Sequence, residues 1–349
     1  MFQTLSYLLR PCSRTVAANA SDLTGRSPSS RLDVVSATPA PSSSPSTPSA
    51  RRLDSQLPAL STADIPVGVD ALATIPGGNC RLGVGYRAPL AKWIHRCPAQ
   101  INCLEITAEH FFDHPAAIEK LRDHYPLMVH GLGLSLGTPG PLDQHYVNRF
   151  VEVCRLADPL WVSEHIAFTR AGDLDLGHLN PIAYTDESLA GFAERVLALQ
   201  SACDKPVLLE NITSHLQIVS PMAETDFING LCDKTGCGLL LDVTNLYVNS
   251  RNHRFDPHHW LRQIQPECIK QLHIVGYSER DGVWHDSHDS NIQHELFTLT
   301  REVVRYSSVD TVIIERDHNF PPPEQLAAEL RALAQCFDEQ AVYCSSVEE

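Results

Sequence analysis

The stretches PVLLENI (206–212), MAETDFINGLCDKT (222–235) and GLLLDVTN (238–245) read in order as strand, helix and strand. The strand interiors Val207-Leu208-Leu209 and Leu239-Leu240-Leu241 are continuously apolar, as expected of parallel strands covered on both faces. Gly236 and Gly238 stand where the helix must stop before the next strand begins. Each apolar run then ends in a carboxylate, Glu210 or Asp242, where burial without a partner would be costly.

The same rhythm extends in both directions. RLGVGYR, NCLEITAEH, PLMVHG and LWVSEHI precede this unit, and IKQLHIVG and TVIIERD follow it. Helical segments fall between these runs at 88–96, 115–124, 143–157, 187–203, 257–265, 291–306 and 323–336. Leu189, Phe192, Val196 and Leu199 form an apolar stripe at helical spacing, suited to packing on a barrel wall. Eight strand–helix units predict a closed (β/α)8 TIM barrel over 80–345. An open doubly wound sheet is the rival architecture. No G-x-G-x-x-G follows the first strand, which weakens its nucleotide-binding form.

Seven of the eight strand candidates end in, or run straight into, a residue able to bind a metal. These are Glu109 and His110, His130, Glu164 and His165, Glu210 and Asn211, Asp242 and Asn245, His273, and Glu315. A parallel barrel gathers all its C-terminal strand ends at one rim, so such residues converge. The run HIVGYSERDGVWHDSHDS adds Asp286 and His288 as a D-x-H pair in an extended loop, where alternate residues face the same way. On strand four, neighbours point oppositely, and Glu164 is preferred over His165 as the ligand. Ordinary ion pairs are the bland alternative for these acids. Yet the strand ends supply almost no Lys or Arg, Arg316 being the main exception, so cations are the better counter-charge. Imidazole and carboxylate donors without Cys suit iron, manganese or zinc and exclude a soft thiolate site. His253, read as lying in the loop after strand six, is a candidate ligand or substrate contact.

The 349 residues are 43% hydrophobic and 20% charged, ordinary for a globular chain. A formal net charge of −15 argues against nucleic acid as partner. No apolar run is long enough to span a bilayer, and a cytoplasmic location is expected. Eleven cysteines without a C-x-x-C pair suggest reduced, buried thiols. Residues 1–75 read as a disordered Ser/Pro-rich extension. Met1 to Arg52 carry six Arg against two Asp, which also suits an organelle transit peptide, the less favoured reading. There is no G-x-S-x-G elbow and no P-loop.

The segments GVGYR, ITAEHFFD, HGLGLSLGTPGPLD, WVSEHIAF, ENITSHL, GCGLLLDVTNLYVNSRNHRFDP, QLHIVGY and IIERD, in this order, resemble the DUF692 family. Its members are also called multinuclear non-haem iron-dependent oxidative enzymes. The resemblance runs from about Gly83 to Leu330. It implies a TIM barrel of the xylose isomerase-like superfamily with two or three irons at the rim. It also implies dioxygen chemistry on cysteine or another residue of a ribosomally made peptide, often with a separate peptide-recruiting protein. Carried over position by position, the metal ligands are His130, Glu164, Glu210 or Asn211, Asp242, His273, Asp286, His288 and Glu315. Asp242, His253 and Asn249 are the candidate catalytic or substrate-contacting residues. The family's first-strand motif has a histidine where this chain has Leu90, and its paired asparagines after the strand-six Asp read Thr244-Asn245. One metal position is then weakened, lost or completed by another group such as Glu109 or His110. A metal-dependent hydrolase or sugar isomerase is the alternative activity, and a barrel that only binds a partner is the non-enzymatic one.

Overall fold

The computed structural model describes residues 80–172 and 174–347; the extension read at 1–75 lies outside the described residues. Eight strands form a closed parallel barrel: β1 (Arg81–Gly85), β2 (Cys103–Thr107), β3 (Leu127–His130), β4 (Val162–His165), β7 (Val207–Glu210), β8 (Gly238–Asp242), β9 (Ile269–Ile274) and β12 (Thr311–Ile314). They close in sequence order, β12 pairing back onto β1. Two antiparallel hairpins are added on the rim side, β5 (Phe168–Ala171) with β6 (Leu174–Asn180) and β10 (Gly276–Arg280) with β11 (Val283–Ser290).

The helices are α1 (Ala91–Ile94), α2 (Ala116–Arg122), α3 (Gln144–Ala157), α4 (Asp186–Cys203), α5 (Glu224–Thr235), α6 (Val243–His253), α7 (Pro257–Gln263), α8 (His294–Tyr306) and α9 (Pro323–Val347). The α4 stripe is buried as its spacing predicts: Leu189, Phe192, Val196 and Leu199 all face the barrel. Thr185 caps α4 in a reciprocal box with Ser188. Gly236, at φ +69, ends α5 in the left-handed conformation that glycine adopts without strain.

Two local expectations are corrected. The run after Asp242, expected as strand end and loop, is helix α6, and His253 sits in its last turn. No turn residue separates strand from helix. Instead the Asp242 side chain accepts the Asn245 N–H at 2.7 Å and caps the helix itself. The extended loop carrying Asp286 and His288 is strand β11 of a hairpin. Its turn is Asp281-Gly282, both at positive φ, which is the favoured two-residue hairpin geometry.

Inside the barrel, β1 contributes two glycines. A Cβ on Gly83 would stand 2.5 Å from the Cys103 carbonyl oxygen and 2.7 Å from its sulfur. Gly83→Ala is therefore expected to destabilise the fold by roughly 1–3 kcal/mol through overpacking, read as a lower denaturation midpoint in urea. An unchanged midpoint would mean that β1 and β2 can separate at no cost.

Candidate metal centre

The strand ends bring three overlapping groups of donors together at the rim, each with ligand atoms within 4.8 Å of one another. The first is His130 from β3, His165 from β4 and Glu210 from β7. Glu210 Oε2 lies 3.4 Å from His130 Nε2 and 3.3 Å from His165 Nε2. Each imidazole is oriented from behind: His130 Nδ1 meets Ser163 Oγ at 2.8 Å, and His165 Nδ1 meets Glu164 Oε1 at 3.0 Å. Such outer partners fix which ring nitrogen faces inward.

The second group is Glu210, Asp242, His273 and Glu315, all buried. His273 Nδ1 lies 3.0 Å from Glu315 Oε2 and 3.4 Å from Glu210 Oε1. The third is His288, Glu315 and Asp317, nearer solvent. His288 Nδ1 stands 3.1 Å from Asp317 Oδ2, while its Nε2 is 2.7 Å from Asp286 Oδ2. His288 takes up φ +49, and its carbonyl accepts the Asp317 and His318 N–H groups, tying β11 to the end of β12. Glu210 and Glu315 are thus each shared by two neighbouring groups.

The donors are poorly satisfied by the protein alone. His130 Nε2, Glu210 Oε2, Asp242 Oδ2, His273 Nδ1, Asp286 Oδ1 and His288 Nδ1 are buried without a hydrogen-bond partner. Buried polar atoms normally have one, and a cluster of orphans facing each other is what a cation would complete. Nitrogen and oxygen donors of this kind suit iron, manganese or zinc, so the residues present fit a bound metal.

Protonation follows from the crowding. Burial holds His130 down at about 3, so it is neutral at pH 7 and ready to donate a lone pair. Burial works against a charged His165 as well, but Glu210 and Glu164 outweigh it and hold that imidazole up at about 9. Burial, with Asp286 and Glu210 close by, pushes the Asp242 carboxyl well above its usual range. A cation must displace these protons. Ferrous ion binding is therefore expected to release protons, with apparent affinity rising as pH climbs toward the His165 value. Calorimetry in buffers of different ionisation heat would show this; pH-independent affinity would contradict it.

The structure places the other predicted residues elsewhere. Glu164 accepts the Leu134 N–H at 2.9 Å and the His165 N–H at 2.8 Å, so it braces His165 rather than joining a donor group. Alternation along β4 turns His165 to the interior with Ser163, against the sequence preference for Glu164. Asn211 is clamped to the Asp242 backbone, giving to its carbonyl at 3.0 Å and accepting its N–H at 2.9 Å. Asn245 donates to the Asn211 carbonyl. Asp286 Oδ2 meets His288, and its carboxylate also lies close to Asp242. Asn249 bonds the Ile212 carbonyl and the Ser214 N–H, and His253 Nε2 lies 2.6 Å from the Ser214 carbonyl. Both side chains hold segment 212–214, and neither belongs to a donor group. Glu109 and His110 lie in a 3-10 turn after β2. Glu109 accepts from Leu132 N, Gly133 N and the Tyr146 hydroxyl, whereas His110 is exposed. Leu90 is buried in the apolar core.

The arginine at the rim is also a correction. Arg316 turns away to the Ser290 carbonyl and Glu329. Arg87 enters instead, 3.1 Å from Glu315 and 2.6 Å from Asp317. Asp317 follows Glu315 by two residues, so their spacing carried the signal. Arg87 had none beyond its place at a strand end.

The family model for the RiPP precursor modification enzymes MbnB/TglH/ChrH matches residues 81–338. The chain belongs to this family. Among curated relatives, a UPF0276 protein of Chromobacterium violaceum is 35% identical over 263 residues, covering 74% of this chain and 94% of that one. A UPF0276 protein of Caulobacter vibrioides is 31% identical over 254 residues, covering 71% and 91%. Among solved structures, a xylose isomerase domain protein from Alicyclobacillus acidocaldarius superposes with a TM-score of 0.50 at 13% identity, covering 74% of this chain and 99% of that chain. The last likeness bears on the fold, a xylose isomerase-like TIM barrel. No helix among the described residues is long and apolar enough to cross a membrane.

Proposed function

We propose that this protein is a multinuclear non-haem iron oxidase or oxygenase that modifies a residue, with cysteine the leading candidate, of a ribosomally made peptide. One observation carries the reading: Glu210 and Glu315 are each shared between adjacent groups of buried, unpartnered donors. Shared carboxylates are suited to holding cations side by side. Family membership supplies the peptide substrate class.

Bound iron would supply dioxygen-dependent oxidation. The chain's own residues do the rest. His130, His165, His273, His288, Glu210, Asp242, Glu315 and Asp317 would hold the ions, and Ser163 and Glu164 orient two of the imidazoles. Asp286 orients His288 at the more open corner, where the peptide would approach. Asn249 and His253 set the course of segment 212–214 beside that approach. A separate protein that recruits the peptide is the expected partner.

The test is oxygen uptake by anaerobically purified, iron-loaded protein on addition of candidate Cys-containing precursor peptides. Stoichiometric uptake with a mass change in the peptide is expected. Activity of zinc-loaded protein without oxygen would instead establish the hydrolase or isomerase alternative.

A further inference from the structure

Beneath the rim, a line of polar side chains runs through the barrel interior to one metal-facing imidazole. Glu105 on β2 is buried, and its Oε1 lies 2.8 Å from His273 Nε2 on β9. Strands β1 and β12 stand between β2 and β9 in the barrel wall, so this contact crosses the interior. It is possible because Gly83 and Gly85 put no side chain on the inner face of β1. The second Glu105 oxygen accepts from Gln271 Nε2 at 2.5 Å. The Gln271 carbonyl oxygen in turn accepts from Trp161 Nε1 at 2.6 Å, fixing which way the amide points.

We propose that Glu105 is a positioning residue for the metal centre. It takes the Nε2 hydrogen of His273 and thereby leaves Nδ1, which faces Glu210 and Glu315, as the ligand atom. The geometry decides between the two nitrogens. Gln271 Nε2 also approaches His273 Nε2, at 3.1 Å, but a charged carboxylate at 2.8 Å is the stronger partner. His273 Nδ1 is left buried and without a hydrogen-bond partner, turned toward the other donors of the second group. A carboxylate behind a ligating imidazole fixes its ring and raises its basicity. Trp161 and Gln271 extend this support, holding Glu105 in place from the side away from the ions. Nothing in this role touches substrate.

This inference rests on the proposed metal centre, and the experiment separates the two. Wild-type, E105Q and E105L proteins are titrated with ferrous ion alone, anaerobically, against a competing chelator, and examined by Mössbauer spectroscopy. In E105Q one ion should bind roughly 10–100-fold more weakly, with one doublet shifted and the other unchanged. In E105L that ion should be lost. Should the Glu105 variants fail to fold, W161F, which frees the Gln271 amide, decides: the same ion should weaken several-fold. A folded E105Q protein, or W161F in its stead, with wild-type affinities and an unchanged spectrum overturns the role of Glu105 while leaving the centre intact. Wild-type protein that takes up no ferrous ion overturns both.

Discussion

Glu210→Ala is expected to abolish binding at two donor groups at once. Its Oε2 faces His130 and His165, while its Oε1 faces His273. Among the described residues, Glu210 alone belongs to both of these donor groups. Loss of an outer partner of a metal ligand typically costs about 10–100-fold in affinity. Loss of a shared, charged ligand should cost more, and tightly bound ion content should fall to at most one per chain, at the His288 group. Glu210→Gln keeps an oxygen donor but no charge and should give an intermediate result. Elemental analysis of both variants beside the wild type checks this.

Asp242→Asn should separate stability from function. The wild-type carboxyl is pushed well above its usual range by burial and by Asp286 and Glu210. A group whose folded pKa is raised contributes stability at pH values below its unfolded value, near 3.9, and that contribution is lost as pH rises through the folded value. In ion-free protein, the Asp242 contribution therefore shrinks from about pH 4 upward. The asparagine has no proton to lose, retains an oxygen to cap α6 at Asn245, and removes one like charge. Ion-free D242N should be more stable than ion-free wild type at pH 7, by on the order of a few degrees in Tm. It should also gain little or no stability from added ferrous ion, whereas wild type gains it by linkage. Equal metal-induced shifts in both proteins would count against Asp242 as a ligand. The Tm difference between the two ion-free proteins, followed with pH, isolates Asp242 from the neighbouring groups. His130 and His165 move in opposite directions and would blur the wild-type curve alone.

How much of this was visible in the sequence depended on whether the signal was local. The barrel strands were legible because runs such as Val207–Glu210 and Gly238–Asp242 are apolar until the rim and end in a ligand-type residue. Helix α6 was hidden because its cap is the rim carboxylate Asp242 itself, so no glycine or proline marks the change of period. The β10–β11 hairpin was announced by Asp281-Gly282, a turn signal overshadowed by the D-x-H pair that follows it. On β4 the inner face carries His165 rather than Glu164. Ser163 supports His130, which puts residues 163 and 165 on the inner face together. Arg87 acts across the seam where β12 closes on β1 and Glu105 across the barrel interior, both on partners more than 160 residues away. No window along the chain could pair them.

Elemental analysis of protein purified without oxygen, with Tm measured before and after chelation, tests most directly whether cations organise the imidazoles and acids at the rim. At least two iron ions per chain are predicted, together with a Tm that falls on chelation and recovers when ferrous ion is returned. Protein free of transition metal, whose Tm does not respond to ferrous ion, would contradict the account.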